Sequence, residues 1–122
     1  AGNPNFHPLA DDVLSRAILG VVLEASKCNQ RKKGAHEATK SLYFKTAEFI
    51  VMAADTDPPS ILDPLISLAK DKKVPYVFVP SKAELGGACK VNAAVAACSV
   101  TTSDMSPIDT EIQGIKAAIE LL

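Results

Sequence analysis

The chain has 122 residues, 48% apolar and 22% charged, which suffices to bury one core and does not suit a disordered or fibrous chain. No apolar run approaches the roughly 18 residues a membrane span needs. The first residues carry no basic region followed by an apolar stretch, so a soluble intracellular protein with no membrane partner is expected. The formal charge of -1 conceals an asymmetry. Residues 31–45 hold Arg31, Lys32, Lys33, Lys40 and Lys45 against Glu37 alone, net +4, which leaves -5 on the remainder.

Residues 1–7 are expected to be an extended lead into a single domain spanning 1–122. Leu14, Ile18, Val21 and Ala25 recur at helical spacing with Val22 beside them, so residues 9–28 should form an amphipathic helix started by Pro8. A short strand fits Gln30 to Lys33. A second helix follows Gly34, where a turn of about 100° per residue points Ala35, Ala38 and Leu42 toward the core. The apolar run from Phe49 to Ala54 suits a strand buried on both faces, and Asp57-Pro58-Pro59 breaks the chain after it. Residues 61–72 read as helical, with Asp63 and Pro64 placed as N-cap and first residue of a second part. Residues 74–80 form another buried strand, 81–90 a short helix ended by glycines, and 95–101 a third strand. A final helix opens at Ser106-Pro107-Ile108-Asp109 and carries Ile108, Ile112, Ile115, Ile119 and Leu122 as one stripe. Alternation of this kind predicts an α/β fold, a three-layer α/β/α sandwich around a mixed, largely parallel central sheet.

Cys28, Cys89 and Cys98 are odd in number and widely spaced, without a C-x-x-C pair, so reduced buried thiols are expected. Two histidines, His7 and His36, do not make a metal site, and no cofactor is implied. The chain has no G-x-x-x-x-G-K-[ST], no G-x-G-x-x-G after a strand and no G-x-S-x-G. Gly86-Gly87 alone is a weak signal for the rival reading, a small α/β nucleotide-binding enzyme, and no catalytic residue can be named.

The helix after Gly34 is more informative. Lys33, His36, Glu37, Lys40 and Phe44 fall opposite its core side, combining cations, a carboxylate, an imidazole and an aromatic ring on one exposed face. Lysines and a helix N-terminus attract phosphates, whereas Glu37 can accept from a guanine Watson–Crick edge and Lys40 can donate to guanine O6 or N7. Two bland readings stand beside this: G-x-x-E resembles a capping box in which Glu37 serves its own helix, and the face can be simply solvated.

The segments KKGAHEATK, EFIVMAAD, DKKVPYVFVPSK and ACSVT, in this order and spacing, closely resemble the kink-turn RNA-binding family of ribosomal and nucleolar proteins. The resemblance runs from about Pro8 to Leu122 and is nearest to the core-protein branch of box C/D small nucleolar ribonucleoproteins, shared with the spliceosomal tri-snRNP. It implies a non-catalytic protein, monomeric when free, that holds a kink-turn bent in box C/D small nucleolar RNA, with spliceosomal small nuclear RNA as a further target. It also implies Nop-domain proteins and fibrillarin as partners, and a nuclear, nucleolar location. Carried over by residue, Gly34, Ala35, His36, Glu37 and Lys40 would meet the tandem sheared G·A pairs, and Lys32 and Lys33 the phosphates. Val91, Asn92, Ala93 and Ala94 would form a second contact loop, while Asp57, Ile61 and Lys82 would line a pocket for an extruded base. The plain alternatives are that Ile61 is core and that Asp57 caps a helix. This chain has His36 where the family usually has Asn, Tyr43-Phe44-Lys45 for N-R-G, and Asn92-Ala93-Ala94 for S-R-P. A ribosomal or pseudouridylation-guide member of the same fold, or a scaffold that has lost RNA binding through these departures, are the remaining readings.

Overall fold

A computed structural model describes residues 6–122. They form α1 (Asp12–Lys27), β1 (Arg31–Lys33), α2 (Ala35–Tyr43), β2 (Ala47–Ala53), a 3-10 turn (Pro59–Leu62), α3 (Asp63–Lys72), β3 (Tyr76–Val79), α4 (Lys82–Ala88), β4 (Ala97–Thr101) and α5 (Asp109–Glu120). Residues 1–5 of the expected lead lie outside the described residues, whereas Phe6 is buried with its ring centroid 5.1 Å from that of Phe78.

The sheet order is β1-β4-β2-β3. Alternation along β2 divides the core in two. Phe49, Val51 and Ala53 pack on one face with Ile18, Val22 and Ala25 of α1, Leu85 of α4, and Ile112, Ile115 and Ile119 of α5. Ile50 and Met52 pack on the other with Ala38 and Leu42 of α2 and Leu65 and Ala69 of α3. Helices on both faces of one sheet are the three layers that the alternating pattern predicts.

The expected sheet was mixed and largely parallel; it is mixed, but only β2 and β3 pair in parallel, and β4 runs antiparallel to both β1 and β2. The cause is the shortness of α4. Its seven residues rise only about 10 Å, too little to carry the chain back along the sheet. The chain instead turns at once, and the Val95 amide donates to the Lys82 carbonyl at 3.0 Å, where α4 began. It therefore enters β4 from the end at which it left β3. As a result the C-terminal ends of β1, β2 and β3 and the N-terminal end of β4 meet at one end of the sheet.

Two local expectations also shift. Pro8 does not open α1, because residues 8–10 lie along β3, with the Phe78 amide donating to the Pro8 carbonyl at 2.8 Å and the Ala10 amide to the Phe78 carbonyl at 2.9 Å. The helix starts after Asp11, whose carboxylate accepts from the Leu14 amide at 2.8 Å. Asp63 is the first residue of α3 rather than its cap, since the 3-10 turn runs directly into the helix and leaves no free N-terminus for a side chain to close.

Candidate nucleic-acid interface

Gly34 joins the sheet to α2. Its amide donates to the Ala97 carbonyl at 2.7 Å, and φ of +90° with ψ of 153° is a conformation open essentially to glycine alone. That bond answers the capping question: the Gly34 amide is already held by β4, so Glu37 has no capping-box donor to accept from, and no side chain caps α2. The free amides of the first turn face outward at the sheet end, where their partial positive charge favours an anion.

Farther along α2, Ala38, Ser41 and Leu42 are buried. Ser41 donates to the Ala38 carbonyl at 2.6 Å, and its hydroxyl lies 2.8 Å from that of Ser99 on β4, a buried polar link that sets the helix on the sheet. Ala35, expected to face the core, is exposed, because the first turn projects beyond the sheet end and only from Ala38 onward does α2 cover β4. Thr39 is tied to its own helix through the Ala35 carbonyl at 2.7 Å.

Lys32, Lys33, His36 and Lys40 are exposed and Glu37 is partly so. Lys40 Nζ stands 3.9 Å from Glu37 Oε1 in an exposed i,i+3 pair. A pair of this kind contributes about 0–1 kcal/mol, so neither side chain is committed by it. Asn29, Arg31, Lys32, Lys33 and Glu37 border a shallow cleft of about 440 Å³ beside the helix start.

The other candidate residues reach the same end of the sheet on separate connections. After β2, Asp57 and Ile61 are exposed. Ile61 is therefore not core, and Asp57 does not cap the 3-10 turn, which follows Pro58 without a side-chain bond. Lys82 opens α4, and its amide donates to Asp55 Oδ1 at 2.8 Å. Asp55 thus ties the end of β2 to the start of α4, a role that sequence reasoning missed although this residue closes the EFIVMAAD segment. Val91 is partly buried, and Asn92, Ala93 and Ala94 are exposed on the loop that enters β4. That loop folds onto α4 so closely that a Cβ on Gly86 would meet the Ala93 carbonyl oxygen. Phe44 is exposed one helical turn beyond Lys40, away from the start of α2. It follows the C-terminus of α2, beside the start of β2, where the Thr46 amide donates to the Ser41 carbonyl at 2.9 Å.

Behind the loop, Cys89 and Cys98 are fully buried free thiols. The interaction of the two side chains holds Cys89 below the ordinary thiol value and, together with burial, pushes Cys98 well above it.

The surface is thus a basic cleft, an uncapped helix start, and two further loops gathered at one end of a sheet. The model of the ribosomal protein L7Ae/L30e/S12e/Gadd45 family matches residues 16–109. The "13 kDa ribonucleoprotein-associated protein" of Candida albicans is 55% identical over 122 residues, covering 100% of this chain and 97% of that one. "NHP2-like protein 1" of Xenopus laevis is 49% identical over 120 residues, covering 98% and 94%. The solved structure of the "Giardia lamblia 15.5kD RNA binding protein" superposes with a TM-score of 0.93 at 33% identity, covering 98% of both chains. With likeness at this level along its whole length, the chain belongs to the L7Ae/L30e/S12e/Gadd45 family.

Proposed function

We propose that this protein recognises a kink-turn in box C/D guide RNA, and in spliceosomal small nuclear RNA, holding it bent as a platform for Nop-domain proteins and fibrillarin in the nucleolus. At the coarser level it is an RNA-binding component of ribonucleoprotein particles and not an enzyme. The Candida albicans relative is named for its association with ribonucleoprotein, and the Giardia lamblia neighbour is an RNA-binding protein by name.

The observation that carries the kink-turn reading is the uncapped start of α2, with Lys40 exposed and Glu37 partly exposed on it and Lys32 and Lys33 immediately before it. A plain duplex is gripped mainly through its phosphates and 2′-hydroxyls, for which cations and free amides suffice. A carboxylate among them weakens binding to phosphates alone, and so favours the reading of a donor edge such as that of guanine. In this reading Gly34, Ala35, His36, Glu37 and Lys40 meet the sheared G·A pairs, and Asp57, Ile61 and Lys82 receive an extruded base. Val91 to Ala93 complete the grip. Phe44, exposed one helical turn beyond Lys40, offers a stacking surface at the outer edge of the same grip.

A kink-turn RNA should bind at least about tenfold more tightly than a plain duplex of equal length at physiological salt, a difference of about 1.4 kcal/mol. Gel-shift titrations against both RNAs measure this, and equal affinities reject the reading.

A further inference from the structure

Arg31 lies at the start of the basic segment and borders the same cleft as Lys32 and Lys33, yet its guanidinium is hydrogen-bonded within the protein. Its Nη2 donates to the Cys89 carbonyl at 2.6 Å and its Nε to Ser26 Oγ at 3.3 Å. Ser26 Oγ in turn sits 2.9 Å from the Ala88 carbonyl and 2.9 Å from that of Val22 in α1. Ala88 is the last residue of α4 and Cys89 its C-cap. The carbonyls at a helix C-terminus lack intrahelical partners and carry partial negative charge, which makes a guanidinium a fitting cap.

This cap sits where the second contact loop begins. Beyond Cys89, the Lys90 amide donates to the Gly87 carbonyl at 3.0 Å and the Val91 amide to that of Gly86 at 3.1 Å. The Val95 amide then returns to the Lys82 carbonyl at 3.0 Å. The loop is therefore fastened to α4, and the end of α4 is fastened to β1 through Arg31. The same strand leads by its backbone into Lys32, Lys33 and Gly34.

We infer that Arg31 is a positioning residue that locks the Val91–Ala94 loop at a fixed place relative to the start of α2, so that both meet one RNA without prior rearrangement. The inference rests on the RNA-binding reading above. A loop already ordered in the free protein loses less entropy on binding, so the effect is on affinity through preorganisation and not through phosphate contact.

The experiment compares Arg31→Met, which keeps the stem and removes the donors, with Lys32→Ala, assigned to a phosphate. At a temperature where all variants are folded, Arg31→Met should speed amide hydrogen exchange at Val91 and Val95 in the free protein. It should weaken kink-turn binding about five- to tenfold and leave the salt slope unchanged. Lys32→Ala should instead lower the slope by about one counterion and leave exchange at the loop as it was. In a background already loosened by Ala93→Gly with Ala94→Gly, Arg31→Met should cost nothing further, because there is no ordered loop left to hold. Ser26→Ala, which removes only the hydroxyl between Arg31 and Ala88, should act in the same direction more weakly, and it carries the test should Arg31→Met fail to fold.

Unaltered exchange in both Arg31→Met and Ser26→Ala, beside normal wild-type binding, overturns this inference alone. A fall of one counterion in the slope, or an undiminished cost in the loosened background, overturns it in favour of direct RNA contact. Wild-type indifference to the kink-turn overturns the proposed function and the positioning role together.

Discussion

Glu37 is the one carboxylate within the basic segment, and its surroundings separate two roles that would look alike in a binding assay. The donor it would cap is held by Ala97, and its ion pair with Lys40 is exposed at 3.9 Å. Glu37→Gln should therefore change unfolding free energy by no more than about 0.5 kcal/mol, while weakening kink-turn binding by about 1–3 kcal/mol through loss of an acceptor on a base edge. Paired denaturant and RNA titrations check this, and a loss of stability with binding intact would restore the helix-capping role. Arg31 shows the complementary point. Its charge adds to the local sum of +4 read from the sequence, but a count of charges says nothing of direction, and the guanidinium turns toward the Cys89 carbonyl at the end of α4 and the Ser26 hydroxyl.

Between elements, the joint at Gly34 bears the greatest demand. It must end β1, present its amide to Ala97 and start α2 within one residue, and it does so at φ of +90°. Gly34→Ala has open space for its Cβ, so the penalty is purely conformational and should be about 1–3 kcal/mol. Thermal or urea unfolding reads it, together with a shift of the Ala97 and Ala38 amide signals where the joint moves. Much at this scale was legible beforehand. Periodicity exposed Ile18, Val21, Val22 and Ala25 as a buried stripe, and unbroken apolar runs marked β2 and β3, because burial on one face or two leaves a direct imprint on residue choice. Strand direction left no such imprint. The reversal of β4 depends on the length of α4 and on a return loop pressed against Gly86, and nothing in the pattern of Ala97 to Thr101 distinguishes entry from one end or the other. Ala35 was misplaced for a similar reason, since the helix wheel gives an angle but not where the sheet beneath it ends. Among the site residues, the helix motif was legible as chemistry from Lys33 to Lys40, whereas Asp57, Ile61, Lys82 and the later loop came from the resemblance alone. They stand far apart along the chain, and only the fold brings them to one end of the sheet.

For the molecule as a whole, a net charge of -1 with a local excess of +4 over residues 31–45 means that RNA is attracted to that segment of an otherwise acidic body. The later loop adds no cation between Val91 and Val95, and Ala93 and Ala94 are exposed there. The Ala94 amide makes no backbone hydrogen bond among the described residues, so a proline at that position removes none. Ala93→Arg with Ala94→Pro should tighten kink-turn binding and steepen its salt dependence by about one counterion, through an added phosphate contact and a stiffer free loop. Titrations at several salt concentrations measure both quantities, and unchanged affinity and slope would remove the loop from the RNA-binding surface.

The place of β4 between β1 and β2 also sets an order in time. During synthesis the basic strand and Gly34 leave the ribosome early, but β1 has no partner in the sheet except β4, and the Gly34 amide waits for Ala97. Chain growth at about 5–20 residues per second makes that wait several seconds long. Through that interval a nascent chain carries the lysines and Glu37 without the joint that aligns them. Under the proposed function, the joint that presents these residues to RNA forms only once Ala97 has been made and β4 has paired with β1.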